Sequence, residues 1–195
     1  MIIGLDAGHG GENIGTWHYG IKEEIYTLEI AQLTKSMLEQ ASLVVHMSRN
    51  KDETVSFKER ARRLALADFV LVLHVNAAAN APDACDLRTY VLPNTALALA
   101  AAHEMERVAP KNIAPKAPQP LKVAPNDPAT ARAYTTLAQY TGKQAVLVEL
   151  FFATHKPSAE WALTTLGRAA LATTLCAGCV YAWQFHYTPD APAIA

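Results

Sequence analysis

Residues 2–11, IIGLDAGHGG, join an apolar run to a glycine-rich turn at the start of the chain. Ile2, Ile3 and Leu5 predict a short buried strand, which the glycines that follow would end. His9 stands among those glycines, at the carboxyl end of the predicted strand. Because open α/β sheets build their sites at the carboxyl ends of strands, His9 is a candidate functional residue. Taken alone, the stretch fits a glycine-rich turn with an incidental histidine equally well.

Length and composition predict one globular domain. The chain has 195 residues, is 51% hydrophobic and has a mean hydropathy of +0.05, which is enough for a substantial core. With 17 basic and 18 acidic residues it carries a net charge of -1, so no basic surface for nucleic acid is expected. The first strand begins almost at once, which leaves no room for a signal peptide. The sequence gives no indication of oligomeric state.

The C-terminal third holds the most apolar stretch, residues 169–185. Thr173, Thr174 and Gln184 interrupt it, so it predicts a buried helix and no membrane insertion. Cys176 and Cys179 lie within this stretch with C-x-x-C spacing. Because no second cysteine pair accompanies them, we interpret them as small core residues and not as metal ligands.

Apolar strands alternate with amphipathic helices along the chain. This pattern predicts an α/β fold, a single domain with a mostly parallel or mixed twisted sheet flanked by helices on both faces. We place the catalytic domain at residues 1–187, a C-terminal tail at 188–195, a surface loop at 15–20 and a proline-rich loop or lid at 110–128. The other predicted elements are helices at 22–40, 56–67, 95–108 and 129–140, one or two helices within 158–185, and strands at 43–47, 69–75, 87–92 and 145–148.

Three of the predicted strands end in a polar side chain, namely His9, His74 and Glu149, and Glu23 opens the helix after the first strand. If these strands are parallel neighbours, the four side chains meet at one edge of the sheet. Two histidines and a carboxylate with one open position suit a catalytic zinc ion. A further carboxylate, Glu149, would then serve as general acid and base. Glu23 also suits the first turn of a helix for electrostatic reasons alone.

These motifs resemble those of the zinc-dependent N-acetylmuramoyl-L-alanine amidases, in particular the type 3 catalytic domain. Leu5–Gly11 resembles the opening motif with its zinc-binding histidine, and Gly20–Glu23 the segment of the glutamate ligand. His74–Ala77 resembles the second histidine motif, and Leu147–Leu150 the strand with the catalytic glutamate. The segment that follows, Leu28–Ala31, also matches the family, and this match aligns Glu23, and not Glu24, with the glutamate ligand. The resemblance extends to about residue 163 and implies Zn²⁺ held by His9, Glu23 and His74, with Glu149 as the catalytic residue.

Four residues beside these motifs are candidates for a supporting role. Asp6 and Asn76 flank the histidine ligands and could orient them from a second layer, although ordinary turn hydrogen bonds explain them as well. Arg49 and Arg60 match positions of the family, where salt bridges or loop anchoring are equally good explanations.

Three further residues bear on the substrate cleft. Thr27 departs from the family, which usually has asparagine there. His18 and His155 fall in loops near the motifs and could line the cleft, with an ordinary surface histidine as the alternative.

The resemblance implies a peptidoglycan hydrolase that cleaves the amide bond between N-acetylmuramic acid and the L-alanine of the stem peptide. Without a signal peptide, such a protein would be made in the cytoplasm and reach the cell wall after release, as a phage or prophage lysin. A catalytic fragment of a secreted enzyme would look the same. Another zinc amidohydrolase or carboxypeptidase and a non-catalytic wall-binding protein remain open. The glycine-rich segment does not match a nucleotide-binding loop, because Asn13 stands where the third glycine of G-x-G-x-x-G is needed.

Overall fold

The computed structural model describes residues 1–92, 95–114 and 128–187. The strands are Ile2–Ala7 (β1), Trp17–His18 (β2), Ile21–Lys22 (β3), Val44–Met47 (β4), Phe69–Asn76 (β5), Arg88–Val91 (β6) and Gln144–Phe152 (β7). The helices are Glu23–Gln40 (α1), Phe57–Arg63 (α2), Ala96–Val108 (α3), Pro128–Leu137 (α4), Lys156–Leu163 (α5) and Thr165–Tyr187 (α6), with a short 3-10 helix at Ala138–Tyr140.

Five strands form one sheet in the order β4-β1-β5-β7-β6. The first four strands of that order pair in parallel, and β6 pairs antiparallel with β7. This confirms the predicted α/β class with a mixed sheet. The order makes β1, β5 and β7 direct neighbours, so their carboxyl ends lie side by side at one edge.

Helices cover both faces of the sheet, as predicted. Successive side chains of a strand point to opposite faces, and because both faces are apolar, each must be covered. On one face Leu5, Leu71 and Val148 pack into the larger core with residues of α1, α3, α5 and α6. On the other face Val72 and Leu147 pack with residues of α4 and the end of α2. The central strands are therefore buried on both sides, which explains their continuous apolar sequence.

Helix boundaries follow local signals with small differences from the prediction. Ser56 accepts a hydrogen bond from the Glu59 backbone N–H at 3.3 Å, which confirms the expected N-cap of α2. The C-terminal helical region divides into α5 and α6. Cys179 is fully buried in α6 and burial raises the pKa of Cys176 to about 11. Cys179 belongs to the larger core and Cys176 is partly buried against it, which agrees with the interpretation of both as packing residues.

The prediction of a surface loop at 15–20 was wrong in one respect, because this segment contains β2 and the turn of a hairpin with β3. Tyr19 and Gly20 make its two-residue turn with φ values of 45° and 83°, the left-handed pair that matches the strand twist. Strands of two residues are too short to show any alternation in the sequence.

Two predicted segments fall largely outside the described residues. These are the loop at 110–128, of which 115–127 are not described, and the tail at 188–195. Within the described part, no single helix is long and apolar enough to cross a membrane; α5 and α6 meet the length and composition criteria only jointly, across a 92° bend.

Candidate metal centre

His9, Glu23 and His74 come together at the carboxyl edge of the sheet. The Oε1 atom of Glu23 lies 3.2 Å from Nε2 of His9 and 3.0 Å from Nδ1 of His74. All three potential ligand atoms lie within 4.8 Å of one another, and the two imidazole rings meet edge to face at 4.9 Å. The structure thus brings together the three residues proposed as ligands.

This donor set fits zinc. Two imidazole nitrogens and one carboxylate oxygen are the ligands of many catalytic zinc sites, which keep a fourth position open. Bonds of about 2.1 Å to a tetrahedral ion place neighbouring donor atoms about 3.4 Å apart. The 3.0 and 3.2 Å separations around Glu23 are close to that value. A small ion can therefore be accommodated with minor adjustment of the side chains.

Both carboxylate oxygens of Glu23 accept hydrogen bonds from backbone N–H groups, which hold the side chain in place. The backbone N–H of Val75 donates to Oε1 at 2.9 Å, and the backbone N–H of Thr16 donates to Oε2 at 2.8 Å. Burial alone would raise the pKa of Glu23, but hydrogen bonds from His74 and His9 outweigh it and hold that pKa well below its usual range. The side chain is therefore an ionised carboxylate, the form that binds a metal.

His9 is positioned by a strained loop. Its φ is 60°, a left-handed conformation that few residues other than glycine adopt. The loop is closed by two backbone hydrogen bonds between Gly10 and Asn13. The side-chain Oδ1 of Asn13 accepts from Nδ1 of His9 at 2.8 Å, which leaves Nε2 directed to Glu23. Asn13 is thus an orienting residue that the sequence reasoning missed.

Gly15 packs directly against the centre. With a φ of 66°, it lies so close that a Cβ atom there would collide with the Glu23 carboxylate and the His9 ring. A glycine is required here because the backbone that donates from Thr16 must approach the ligand itself.

A buried ion pair underlies the His9 loop. Arg60 donates to Oδ1 of Asp6 at 2.6 Å and to the backbone carbonyls of Ala7 and His9. Tyr140 donates its hydroxyl to the other Asp6 oxygen at 2.6 Å. No hydrogen bond joins Asp6 to either histidine ring within the described contacts, so its predicted role in orienting the ligands stays a prediction, in which it would act through Arg60. It fixes Arg60, and Arg60 holds the loop.

Replacement of Arg60 with methionine should lower the free energy of unfolding by about 3–5 kcal/mol, because Asp6 would remain buried without its cation. Arg62→Met on the same helix is the matched control. The Arg62 side chain is 72% exposed and pairs with the half-exposed Glu59, so its loss should cost less than about 1 kcal/mol. Urea denaturation measures both values, and equal losses in the two variants would contradict this assignment.

Arg49 anchors the same loop from the opposite side. Its side chain is fully buried and donates to the backbone carbonyls of Ala7, Gly8 and Glu24. The Thr27 hydroxyl, which stands in place of the usual asparagine, also donates to the Gly8 carbonyl at 2.8 Å. The structure thus supports loop anchoring as the role of Arg49, and Thr27 also makes a hydrogen bond to the glycine loop.

Three other candidates have local roles. The Asn76 side chain accepts from the backbone N–H of Ala77 at 2.8 Å, which is the turn hydrogen bond considered as the alternative. His155 caps α5, where its Nδ1 contacts Ser158. His18 is exposed on β2. None of the three belongs to the metal-binding group found within the described part of the chain.

Glu149 lies beside the metal group on the neighbouring strand. It pairs in register with His74 across β5 and β7, so both side chains project from the same face. Its Oε2 atom is buried and has no hydrogen-bond partner within the described residues. Burial raises the pKa of Glu149 to about 7, which is close to the value that suits exchange of a proton at neutral pH.

Comparison with known proteins gives one family. The family model described as N-acetylmuramoyl-L-alanine amidase matches residues 3–180. The endolysin of Bacillus phage SPP1 is 37% identical over 79 residues, which cover 39% of this chain and 29% of that protein. The N-acetylmuramoyl-L-alanine amidase AmiC of Neisseria meningitidis serogroup B is 35% identical over 112 residues, covering 54% of this chain and 26% of that protein. The matches thus span less than a third of these relatives.

Solved structures share the fold over nearly the whole chain. The N-acetylmuramoyl-L-alanine amidase AmiC2 of Nostoc punctiforme superposes with a TM-score of 0.75 at 20% identity, covering 94% of this chain and 97% of that one. The N-acetylmuramoyl-L-alanine amidase from Clostridium difficile 630 gives 0.74 at 19% identity, covering 98% of each chain. At this level of identity the comparison establishes the architecture.

Proposed function

The chain belongs to the N-acetylmuramoyl-L-alanine amidase family, and from this membership we propose that it hydrolyses the amide bond between the lactyl group of N-acetylmuramic acid and L-alanine in peptidoglycan. One observation carries the proposal. A group of three side chains that could hold a metal ion lies next to a strand bearing Glu149, whose buried Oε2 atom has no hydrogen-bond partner within the described residues. A metal-assisted hydrolase needs this combination, because the reaction requires both an electrophilic centre and a base.

We propose Zn²⁺ as the cofactor, held by His9, Glu23 and His74. A zinc ion in this position supplies Lewis acidity, which polarises a carbonyl group and acidifies water. The chain contributes the geometry. Asn13 fixes the His9 ring, while Thr16 and Val75 fix the Glu23 carboxylate. These contacts keep the ligands in place before the ion binds, so little ordering is required on binding.

Glu149 performs the proton transfers in this proposal. Its carboxylate accepts a proton from the attacking water as the oxygen bonds to the lactyl carbonyl carbon. It then delivers that proton to the nitrogen of L-alanine as the carbon–nitrogen bond breaks. The products are the lactyl carboxylate and a stem peptide with a free amino terminus. The raised pKa of Glu149 suits both halves of this exchange.

The site of action follows from the substrate. Relatives include a phage endolysin and cell wall amidases, and we infer that this chain acts on the cell wall. Synthesis in the cytoplasm followed by release, the absence of nucleic-acid and membrane partners, and the domain at 1–187 stay predictions.

Digestion of purified peptidoglycan tests the proposed function. We expect zinc-loaded protein to release stem peptides that begin with L-alanine, identified by mass spectrometry. Treatment with a chelator should abolish the release, because the three ligands hold the only proposed electrophile, and added zinc should restore it. Release of C-terminal amino acids in place of whole stem peptides would instead identify a carboxypeptidase. Bound zinc without any cleavage would point to another zinc amidohydrolase with a different amide substrate, and binding of the intact wall without cleavage would point to a non-catalytic wall-binding protein.

A further inference from the structure

Three polar side chains stand in one row across the sheet at the candidate site. His74 on β5 pairs in register with Glu149 on β7, and Arg88 on β6 pairs in register with Glu149 from the other side. Residues paired in this way project from the same face of a sheet, and the Cβ atoms of an antiparallel pair lie about 5 Å apart. The fold therefore places the cation of Arg88 next to the proposed general base.

Arg88 nevertheless makes no ion pair with Glu149 within the described contacts. Its Nε atom donates to Oδ2 of Asp86 at 3.0 Å and its Nη2 atom donates to Oδ1 at 3.5 Å. Its Cζ atom lies 4.7 Å from the ring centroid of Phe152, and a further hydrogen bond joins the side chain to Tyr90. The guanidinium is thus held by residues other than the carboxylate that it pairs with in register.

Asp86 and Phe152 hold the guanidinium to one side of Glu149. Strand β6 runs antiparallel to β7, so residues that precede Arg88 lie alongside residues that follow Glu149. Asp86 precedes Arg88 by two positions, and Phe152 follows Glu149 by three. Both therefore lie beyond Glu149 towards the carboxyl edge of β7, and the Arg88 side chain leans past the carboxylate in that direction.

This arrangement leaves Glu149 without a paired cation. Its Oε2 atom is buried and has no hydrogen-bond partner within the described residues. Arg132 on α4 adds positive potential but forms no ion pair with Glu149 among the described contacts. An arginine bonded to Glu149 would occupy the oxygens that must accept the proton of water and would make them a weaker base. The proposed chemistry therefore needs the carboxylate unpaired.

We propose that Asp86 is a positioning residue that keeps Arg88 away from Glu149, so that the Glu149 carboxylate stays available for proton transfer. The proposal rests on Glu149 being the general acid and base of the proposed function. The Asp86 side chain is only 16% exposed, and both of its oxygens engage the guanidinium, which is a strong form of pairing. Without Asp86, the remaining partners Phe152 and Tyr90 are neutral. Glu149 is then the carboxylate that stands in register with Arg88.

Three variants of the zinc-loaded protein test the proposal through hydrolysis of a soluble muropeptide. Asp86→Ala should lower kcat at least tenfold and change KM less than twofold, because the released Arg88 pairs with the base. Arg88→Met should keep kcat within twofold, since it removes the competing cation and leaves the base. The double variant Asp86→Ala/Arg88→Met should recover the kcat of Arg88→Met. A merely structural role of Asp86 would not produce this rescue.

Glu104→Ala is the matched control for Asp86→Ala. The Glu104 side chain is 14% exposed and also pairs with an arginine, Arg107, through both of its oxygens. Both residues lie on α3, which packs into the larger core on the face of the sheet opposite to Glu149. The released Arg107 therefore cannot reach Glu149, and kcat should be unchanged.

An NMR comparison tests the same contact without turnover. In zinc-loaded Asp86→Ala protein, adding Glu149→Gln should shift the Arg88 Nε–H resonance at least threefold further than the same replacement does when Asp86 is present. Failure of the unmodified protein to hydrolyse the muropeptide would count against the proposed function alone, because this comparison does not depend on hydrolysis. Full kcat in Asp86→Ala, a double variant as slow as Asp86→Ala, or equal resonance shifts in the two backgrounds would overturn the role of Asp86.

Discussion

Replacement of Glu149 with glutamine is expected to lower peptidoglycan hydrolysis by about 10²–10⁴-fold, the range typical for loss of a general acid or base. Glutamine has nearly the same shape, but its amide cannot accept the proton of the attacking water. Glu149 is not among the three proposed metal ligands, so zinc content should be unchanged. Release of stem peptides and metal analysis of the same preparation measure the two quantities.

Stability provides a second readout for this variant. Glu149 has a buried oxygen without a hydrogen-bond partner within the described residues, so a neutral side chain removes an unfavourable desolvation and the Tm should not fall. Glu160→Gln is the control, since that carboxylate is exposed on α5 and pairs with Lys156. It should retain full activity. If Glu149→Gln hydrolyses peptidoglycan as fast as this control, the role assigned to Glu149 is wrong.

Replacement of His74 with alanine is expected to remove both zinc and activity. The variant keeps only two of the three ligands. Loss of a group that merely orients a ligand already costs about 10–100-fold in metal affinity, so loss of the ligand itself should exceed 100-fold. A competition titration with a chromogenic chelator measures the affinity, and digestion of peptidoglycan measures the activity.

His103→Ala is the matched control for the histidine variant. His103 is exposed on α3, outside the metal-binding group, so zinc affinity and hydrolysis should both be retained. The contrast with Glu149→Gln separates the two roles, because that variant should lose activity while it keeps the metal. A His74→Ala protein that binds zinc as tightly as the control would show that the ion is held elsewhere.

The larger features of the fold could be predicted because they depend on patterns that repeat along the chain. Continuous apolar runs at Phe69–Asn76 and Gln144–Phe152 indicate strands buried on both faces, and the polar residue near the end of each run marks the functional edge. The helix over Glu23–Gln40 follows from its apolar periodicity. Short elements carry no such repeat, and the hairpin at residues 17–22 was therefore missed.

Details of the site could not be predicted because they join residues distant in sequence. Asp6 pairs with Arg60 and Tyr140 across 54 and 134 positions, and no local pattern indicates which buried arginine meets which carboxylate. Nor does the sequence indicate that His9 adopts a left-handed conformation, since the neighbouring contacts impose it. Nor does the sequence indicate that Oε2 of Glu24 is buried without a hydrogen-bond partner within the described residues. The local helix pattern places Glu23 and Glu24 alike in the first turn and does not distinguish their surroundings.

The sequence by itself determined the α/β class, and it predicted the three side chains that we propose as metal ligands and the carboxylate beside them. It could do so because residues at the ends of parallel strands are brought together by the sheet, whatever the loops do. Tertiary structure alone decided how these residues are held and which polar atoms lack a partner. Burial and hydrogen bonding depend on every element that packs around an atom. Asp6 thus supports a loop through Arg60, and Asn13 orients His9.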